Sequence, residues 1–389
     1  MVGFIQRQLR MIKSMTTKRS FIFLFVLFFL SSCGGSEQDN AVITPEAPED
    51  LPITNTPINF QTKNPEGDIS YLKLVNRDPD CAAYVGNYHA SIFDSQQSVV
   101  LESFLTVSFN DTHCVFVSNN VPNHDVGANT TTGKDFASQV KSNSTDYVLT
   151  IPRFPIKQEV PVYVEKIAAM ITLNGILLNG VDLDMDSAFC YHPDINAVLN
   201  IGLGTRQQCG LNADWYAVPA NNPDTVTLDE YTGHAFDGRY HYHGDNDGLS
   251  HLSVDETLSI NSTDVDPSGS PVIGFAPDGF PIYGHYFYDD QIKGLRKAKS
   301  SWTTYSTERA TPSSSSITAP SITTHARGIF VEDWYYSQGI GDLDECNGMT
   351  DVYGNYGYYY TEDYPYGPIC TWAIPDESFT LAASAFEGS

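Results

Sequence analysis

The chain has no C-x2-C pair, no H-E-x-x-H and no G-x-S-x-G. The usual spacing of a thiolate zinc site, the zincin helix and the nucleophile elbow are therefore all missing, and no named hydrolase class is supported. Basic residues are scarce, at 21 Lys and Arg against 47 Asp and Glu, for a formal charge of −26. A field of that sign repels nucleic acid and anionic membrane surfaces and favours cations. A long apolar run is absent too. The longest, Phe21 to Leu30, has ten residues, half of what a helix needs to span a bilayer. Between residues 61 and 155 no long segment repeats at 3.6 residues, which argues against helices there.

What is present at the start reads as an address. Arg7, Arg10, Lys13, Lys18 and Arg19 precede the apolar run, and Leu30-Ser31-Ser32-Cys33 follows it. Small residues before a cysteine at this place resemble the bacterial lipoprotein processing box, so residues 1–33 are expected to be a signal and Cys33 the acylated first residue of the mature chain. Gly34 in place of aspartate is compatible with transport to the outer membrane. The expectation is a protein of the bacterial cell envelope or cell surface, held to the membrane by its N-terminal lipid. The signal holds five basic residues and no acidic one, so the mature chain carries 16 against 47, near −31.

Without Cys33, six cysteines remain: Cys81, Cys114, Cys190, Cys209, Cys346 and Cys370. An even set in an oxidising compartment suggests three disulfides with fifteen pairings open. Pairing neighbours in sequence gives 81–114, 190–209 and 346–370. Thiolate metal ligands are the alternative.

Residues 34–60 are rich in Pro, Asn, Thr, Glu and Asp and read as a disordered tether. The rest divides into a β-rich N-terminal region over 61–155, a domain over 156–375 and a tail over 376–389. Ser98–Leu101, Phe104–Phe109 and Cys114–Val117 read as strands, as do Val160–Val164 and Ala168–Leu173. Asn174-Gly175, Asn179-Gly180 and Pro277-Asp278-Gly279 read as turns. A short helix near 224–231, capped by Asp224, is expected. Residues 296–326 read as a surface loop, and the seven tyrosines between 353 and 366 as a final hairpin with a partly exposed aromatic face. The fold class is mainly β: antiparallel sheets in a sandwich or barrel-like arrangement, with long loops and few short helices.

The densest window of candidate ligands is Gly238-Arg239-Tyr240-His241-Tyr242-His243-Gly244-Asp245, with His234 seven residues before His241, and Asp247 and His251 after. On a strand, residues i and i+2 share a face. His241 and His243 then point one way, Tyr240 and Tyr242 the other. Neutral imidazoles on one face can grip a transition metal, copper or zinc rather than magnesium. His234, His241 and His243 are the candidate ligands, with Asp245 or Asp278 as oxygen or neighbouring carboxylate partners. Asp182, Asp184 and Asp186 alternate and could hold calcium, although the EF-hand pattern is not completed and a solvated acidic loop explains them as well. His285 could face the same pocket as the histidine pair.

Gly233-His234, Gly238 to Gly244, Gly274-Phe275-Ala276-Pro277-Asp278-Gly279-Phe280-Pro281-Ile282-Tyr283-Gly284, Gly341 to Gly348 and Asp363-Tyr364-Pro365-Tyr366 together resemble the YHYH-domain family, in the family's order, over roughly residues 160–372. Where many members carry proline after Ile-Tyr-Gly, this chain carries His285. The resemblance implies an exported protein and supplies no reaction. Three readings stay open. One is a binding protein for a transition metal. Another is a metal-dependent hydrolase of an envelope or extracellular polymer, with Asp278 or Glu345 as base. The third is a disulfide-stapled module that contacts glycan or protein. Oligomeric state is not readable from the sequence.

Overall fold

A computed structural model describes residues 67–70, 74–127, 136, 139–141, 147–163, 170–185, 189–195, 203–205, 209, 213–236, 238–244, 268–313 and 315–382. All of them belong to one compact unit, Thr56–Ser389. The expected signal, tether and Cys33 lie outside the described residues, as do Asp186, Asp245, Asp247 and His251.

The first sheet is a four-stranded antiparallel meander of β1 (Gly86–Asp94), β2 (Val99–Phe109), β3 (His113–Ser118) and β4 (Tyr147–Pro152). Burial alternates along its strands, with Leu101, Leu105 and Val107 of β2 turned inward, as period-2 patterning requires. Aspartate and asparagine close its turns. Asp94 Oδ1 accepts from the amides of Gln96 and Gln97, and Asn110 Oδ1 from those of Thr112 and His113.

The second sheet has eight strands: β5 (Gly175–Leu177), β6 (Asp182–Leu183), β7 (Gly233–Phe236), β8 (Arg239–Tyr242), β9 (Val272–Phe275), β10 (Pro281–Tyr283), β11 (Gly348–Thr350) and β12 (Tyr356–Tyr359). Their spatial order is β7-β8-β6-β5-β9-β10-β12-β11. Two neighbouring pairs, β8 with β6 and β10 with β12, run parallel; the others run antiparallel. Central strands of this sheet are buried on both faces, which is why they read as nearly continuous apolar and aromatic runs.

The two sheets share a core. Leu105, Phe116 and Ile151 of the first belong to the same buried cluster as Ile176, Phe275 and Ile282 of the second, and the Phe116 and Phe275 rings lie 6.0 Å apart. Ser378 donates to the Thr150 carbonyl and accepts from its amide. The expected boundary at 155/156 thus crosses continuous packing. Thr380–Ala382, within the expected tail, pairs with Met170–Thr172.

The architecture is mainly β with several antiparallel sheets and, among the described residues, no closed barrel. Cys81–Cys114, Cys190–Cys209 and Cys346–Cys370 are disulfides, the neighbour pairing. Pro277-Asp278-Gly279 turns β9 into β10, with Gly279 at φ 89°. Asn179-Gly180 joins β5 to β6, but Asn174-Gly175 makes no hairpin, because Met170–Thr172 pairs elsewhere. The helix α1 is only Pro223–Val226, and its N-cap is Asn222 rather than Asp224. The tyrosine-rich hairpin is β11–β12, yet Tyr356, Tyr358, Tyr359, Tyr360 and Tyr364 are buried, so that face is core rather than display.

Candidate metal centre

The site is built from the register of three strands. His234 on β7 is opposite His241 on β8, and His241 is opposite Asp182 on β6. Directly opposed residues project from the same face. Two residues along, the His243 amide donates to the Thr232 carbonyl, and the Asp184 amide to the Tyr242 carbonyl. Arg239 precedes His241 by two. One face of these strands therefore carries three histidines, two aspartates and one arginine, all buried, with exposures between 0% and 6%.

The imidazoles converge. His234, His241 and His243 each offer one ring nitrogen, and the three atoms lie within 4.8 Å of one another. His234 Nε2 and His243 Nε2 are 3.2 Å apart. Two nitrogens of a tetrahedral zinc site, with bonds of about 2.0–2.1 Å, are separated by about 3.3–3.4 Å. The spacing fits a shared ion.

Backbone carbonyls set the tautomers. His234 Nδ1 is 2.8 Å from the Val226 carbonyl and His241 Nδ1 is 3.3 Å from the Arg239 carbonyl. A carbonyl can only accept, so in each neutral ring the proton sits on Nδ1 and the lone pair on Nε2. Burial, with neighbouring cationic groups adding to it, pushes both histidines well below their ordinary range. His243 is pushed down to about 3, again mainly by burial. At neutral pH all three are uncharged, the form that binds metal.

Carboxylates frame the group. Arg239 forms ion pairs with Asp182 and, at 3.3 Å, with Asp184. Asp182 and Asp184 are thus buried and ion-paired rather than solvated, while Asp186 lies outside the described residues. Burial raises Asp182 to about 6, with the Arg239 guanidinium opposing. On the reverse face, Tyr240 donates to Asp229 Oδ2 at 2.7 Å, and the Tyr242 hydroxyl lies 2.6 Å from His124 Nε2 and 3.0 Å from Asn179 Nδ2. Asp229 Oδ1 also accepts from the Tyr231 and Gly233 amides, tying the start of β7 to β8. Tyr366 lies over Gly244, where an added Cβ would meet it at 3.2 Å.

Asp278 is not part of the histidine group. Its carboxylate accepts from the Tyr358 hydroxyl at 2.7 Å, the Ala373 amide at 2.9 Å and the Phe280 amide at 3.3 Å. It staples the β9–β10 turn to β12 and the Cys370 segment. His285 is buried beside Tyr360, with ring centroids 6.5 Å apart, and also stands apart from the three histidines. Glu345 accepts from Tyr163. Sequence reasoning missed Arg239, Asp229 and His124. The period-2 rule that placed His241 and His243 together places Arg239 with them, so that residue was findable. His124 lies 118 residues from Tyr242, and nothing local to it signals the contact.

A family model described as YHYH protein matches residues 148–372. No curated protein and no solved structure matches the chain.

Proposed function

The chain belongs to the YHYH protein family, and from that premise we propose that it binds a divalent transition metal, zinc or copper, through His234, His241 and His243. The observation that carries the reading is the convergence of three buried, neutral imidazoles with two proton positions set by carbonyls. The competing account is that the histidines only pack, with His243 donating to His234 Nε2. That hydrogen bond explains one pair; it gives no role to the third ring, aimed at the same point. Nitrogen donors without thiolate suit zinc, copper or nickel better than calcium or magnesium. The strongly negative mature chain would draw cations toward the protein. A lipid at Cys33 would hold this site in the cell envelope, where the three disulfides are stable.

Uptake tests it. Protein stripped by chelation should take up about one equivalent of zinc or copper, seen by elemental analysis after desalting. The His241→Ala/His243→Ala variant should take up none while keeping its circular dichroism. Absence of uptake under any loading condition overturns the proposal.

A further inference from the structure

A positive φ is unfavourable for a side chain branched at Cβ. Among the described residues seven non-glycine residues have one, and the two that are β-branched, Thr227 at 61° and Thr232 at 54°, bracket a single turn. That turn leads into β7 and touches two of the three candidate ligands. The Val226 carbonyl, one residue before Thr227, lies 2.8 Å from His234 Nδ1. The Thr232 carbonyl accepts from the His243 amide at 2.9 Å. Backbone in a sparsely populated region persists only where its surroundings fix it, and such residues gather at functional sites.

Thr227 follows α1 in the left-handed conformation, and its amide bonds back to the Pro223 carbonyl. Its hydroxyl donates to the Val226 carbonyl at 2.6 Å. A carbonyl oxygen has two lone pairs. The hydroxyl takes one and the His234 Nδ1 proton takes the other, so the oxygen that sets the His234 tautomer is itself held. The Val226 amide is tied as well, donating to the Asn222 carbonyl at 3.0 Å, and the Asn222 side chain donates to the carbonyls of Val218 at 2.8 Å and Ile329 at 3.0 Å. Four residues are too few for a helix to stand by itself, so these contacts place the Val226 carbonyl. Glycine meets a left-handed conformation without penalty and is the usual residue just past a helix, but it has no hydroxyl. We infer that Thr227 is a positioning residue for the three-histidine centre: its hydroxyl holds the Val226 carbonyl and, through it, aims the Nε2 lone pair of His234 at the shared point. The inference rests on the metal-binding reading and extends it to a residue that touches no ion. The strained backbone at Thr227 is kept for the sake of that hydroxyl.

Stability and zinc affinity should then move apart. The test uses the purified protein stripped of metal, with zinc affinity read by competition with a chromophoric chelator and stability by thermal unfolding of the metal-free form. Thr227→Gly should unfold at the same temperature or higher, because the left-handed position suits glycine. Its zinc affinity should fall about tenfold, the lower end of what losing a hydrogen-bonding partner behind a ligand costs. Thr227→Ser keeps the hydroxyl without the branching, and should bind zinc as the unsubstituted protein does. Thr227→Val keeps the branching without the hydroxyl, should lose affinity as glycine does, and carries the test if Thr227→Gly does not fold. Nitrogen NMR of metal-free, histidine-labelled protein gives a second readout. In the hydroxyl-free variants His234 should no longer hold its proton on Nδ1 alone, while His241, whose Nδ1 faces the Arg239 carbonyl, should be unchanged. Unmoved zinc affinity or an unmoved His234 pattern in a folded hydroxyl-free variant, or an equal loss of affinity in Thr227→Ser, overturns the inference and leaves the metal site standing. Absence of zinc uptake by the unsubstituted protein is a different result: it overturns the metal reading and the inference with it.

Discussion

A buried imidazole gives up hydration and keeps a lone pair that must be used. At His234 and His241 the Nδ1 proton meets a carbonyl and the lone pairs face inward. A metal ion uses all three lone pairs at once, which no single hydrogen bond can do. Because burial already keeps these rings neutral, metal binding to the folded protein should displace few protons at neutral pH. Zinc affinity should thus stay within about threefold between pH 7.5 and 6, where a site of ordinary imidazoles would lose affinity steeply through 6.5; titration calorimetry at the two pH values, in two buffers of different ionisation enthalpy, reads it. The reverse face supplies a control. Tyr242→Phe removes the hydroxyl that contacts His124 and Asn179, at a cost of about 1–3 kcal/mol for partners left buried. Its unfolding midpoint should fall while metal stoichiometry stays at that of the unsubstituted protein.

Strands β7, β8 and β6 form the site because their register is locked. Gly233 is one lock: a Cβ there would lie 2.3 Å from the Tyr240 hydroxyl and 3.0 Å from the His241 carbonyl. Gly233→Ala should push β7 off β8, lowering zinc affinity at least about tenfold along with about 1–3 kcal/mol of stability. Gly279 is a lock of another kind. It sits at φ 89°, and a Cβ would lie 2.0 Å from the Pro152 carbonyl of β4. Gly279→Ala should destabilise as much or more and leave metal uptake intact in whatever remains folded, as calorimetric unfolding and elemental analysis would show. The contrast separates elements that shape the site from elements that only join the sheets. Much at this scale was legible beforehand. Alternation placed His241 beside His243, β-branched runs located β2 and β3, and Pro-Asp-Gly marked the β9–β10 turn. What was not legible came from distant pairing. The sequence cannot say that β8 lies between β7 and β6, so Asp182 and Asp184 read as a solvated or calcium-binding run. Asp278 read as a site carboxylate because its partners, Tyr358 and Ala373, lie 80 and 95 residues away.

Across the whole molecule, buried titratable groups oppose one another. His234, His241 and His243 have folded values below 6.5. Their contribution is fully present above pH 6.5 and is lost as pH falls toward the folded values. Burial raises the carboxyls of Asp229 to about 7 and of Asp182 and Asp278 to about 6. Each of those is stabilising as pH falls below its folded value toward 3.8, because the fold holds a proton the unfolded chain does not. Between about pH 4 and 6 the two sets nearly cancel, so metal-free stability should be nearly flat there and drop below pH 4. Asp278→Asn removes one opposing group and should tilt that window, with stability falling about 1.4 kcal/mol more per pH unit toward acid than in the unsubstituted protein; denaturant unfolding at pH 6, 5 and 4 measures it. At this scale the number of disulfides followed from the cysteine count, while the neighbour pairing was one of fifteen until the structure placed the sulfurs; the shared core of the two sheets was not legible, because packing across Phe116 and Phe275 leaves no mark in either local pattern. Zinc-edge X-ray absorption of the loaded protein bears most directly on whether three imidazoles meet at one ion. A shell of three nitrogens at about 2.0–2.1 Å with the outer-ring scattering of imidazole is the predicted result; a shell of oxygen alone, without ring scattering, would contradict it.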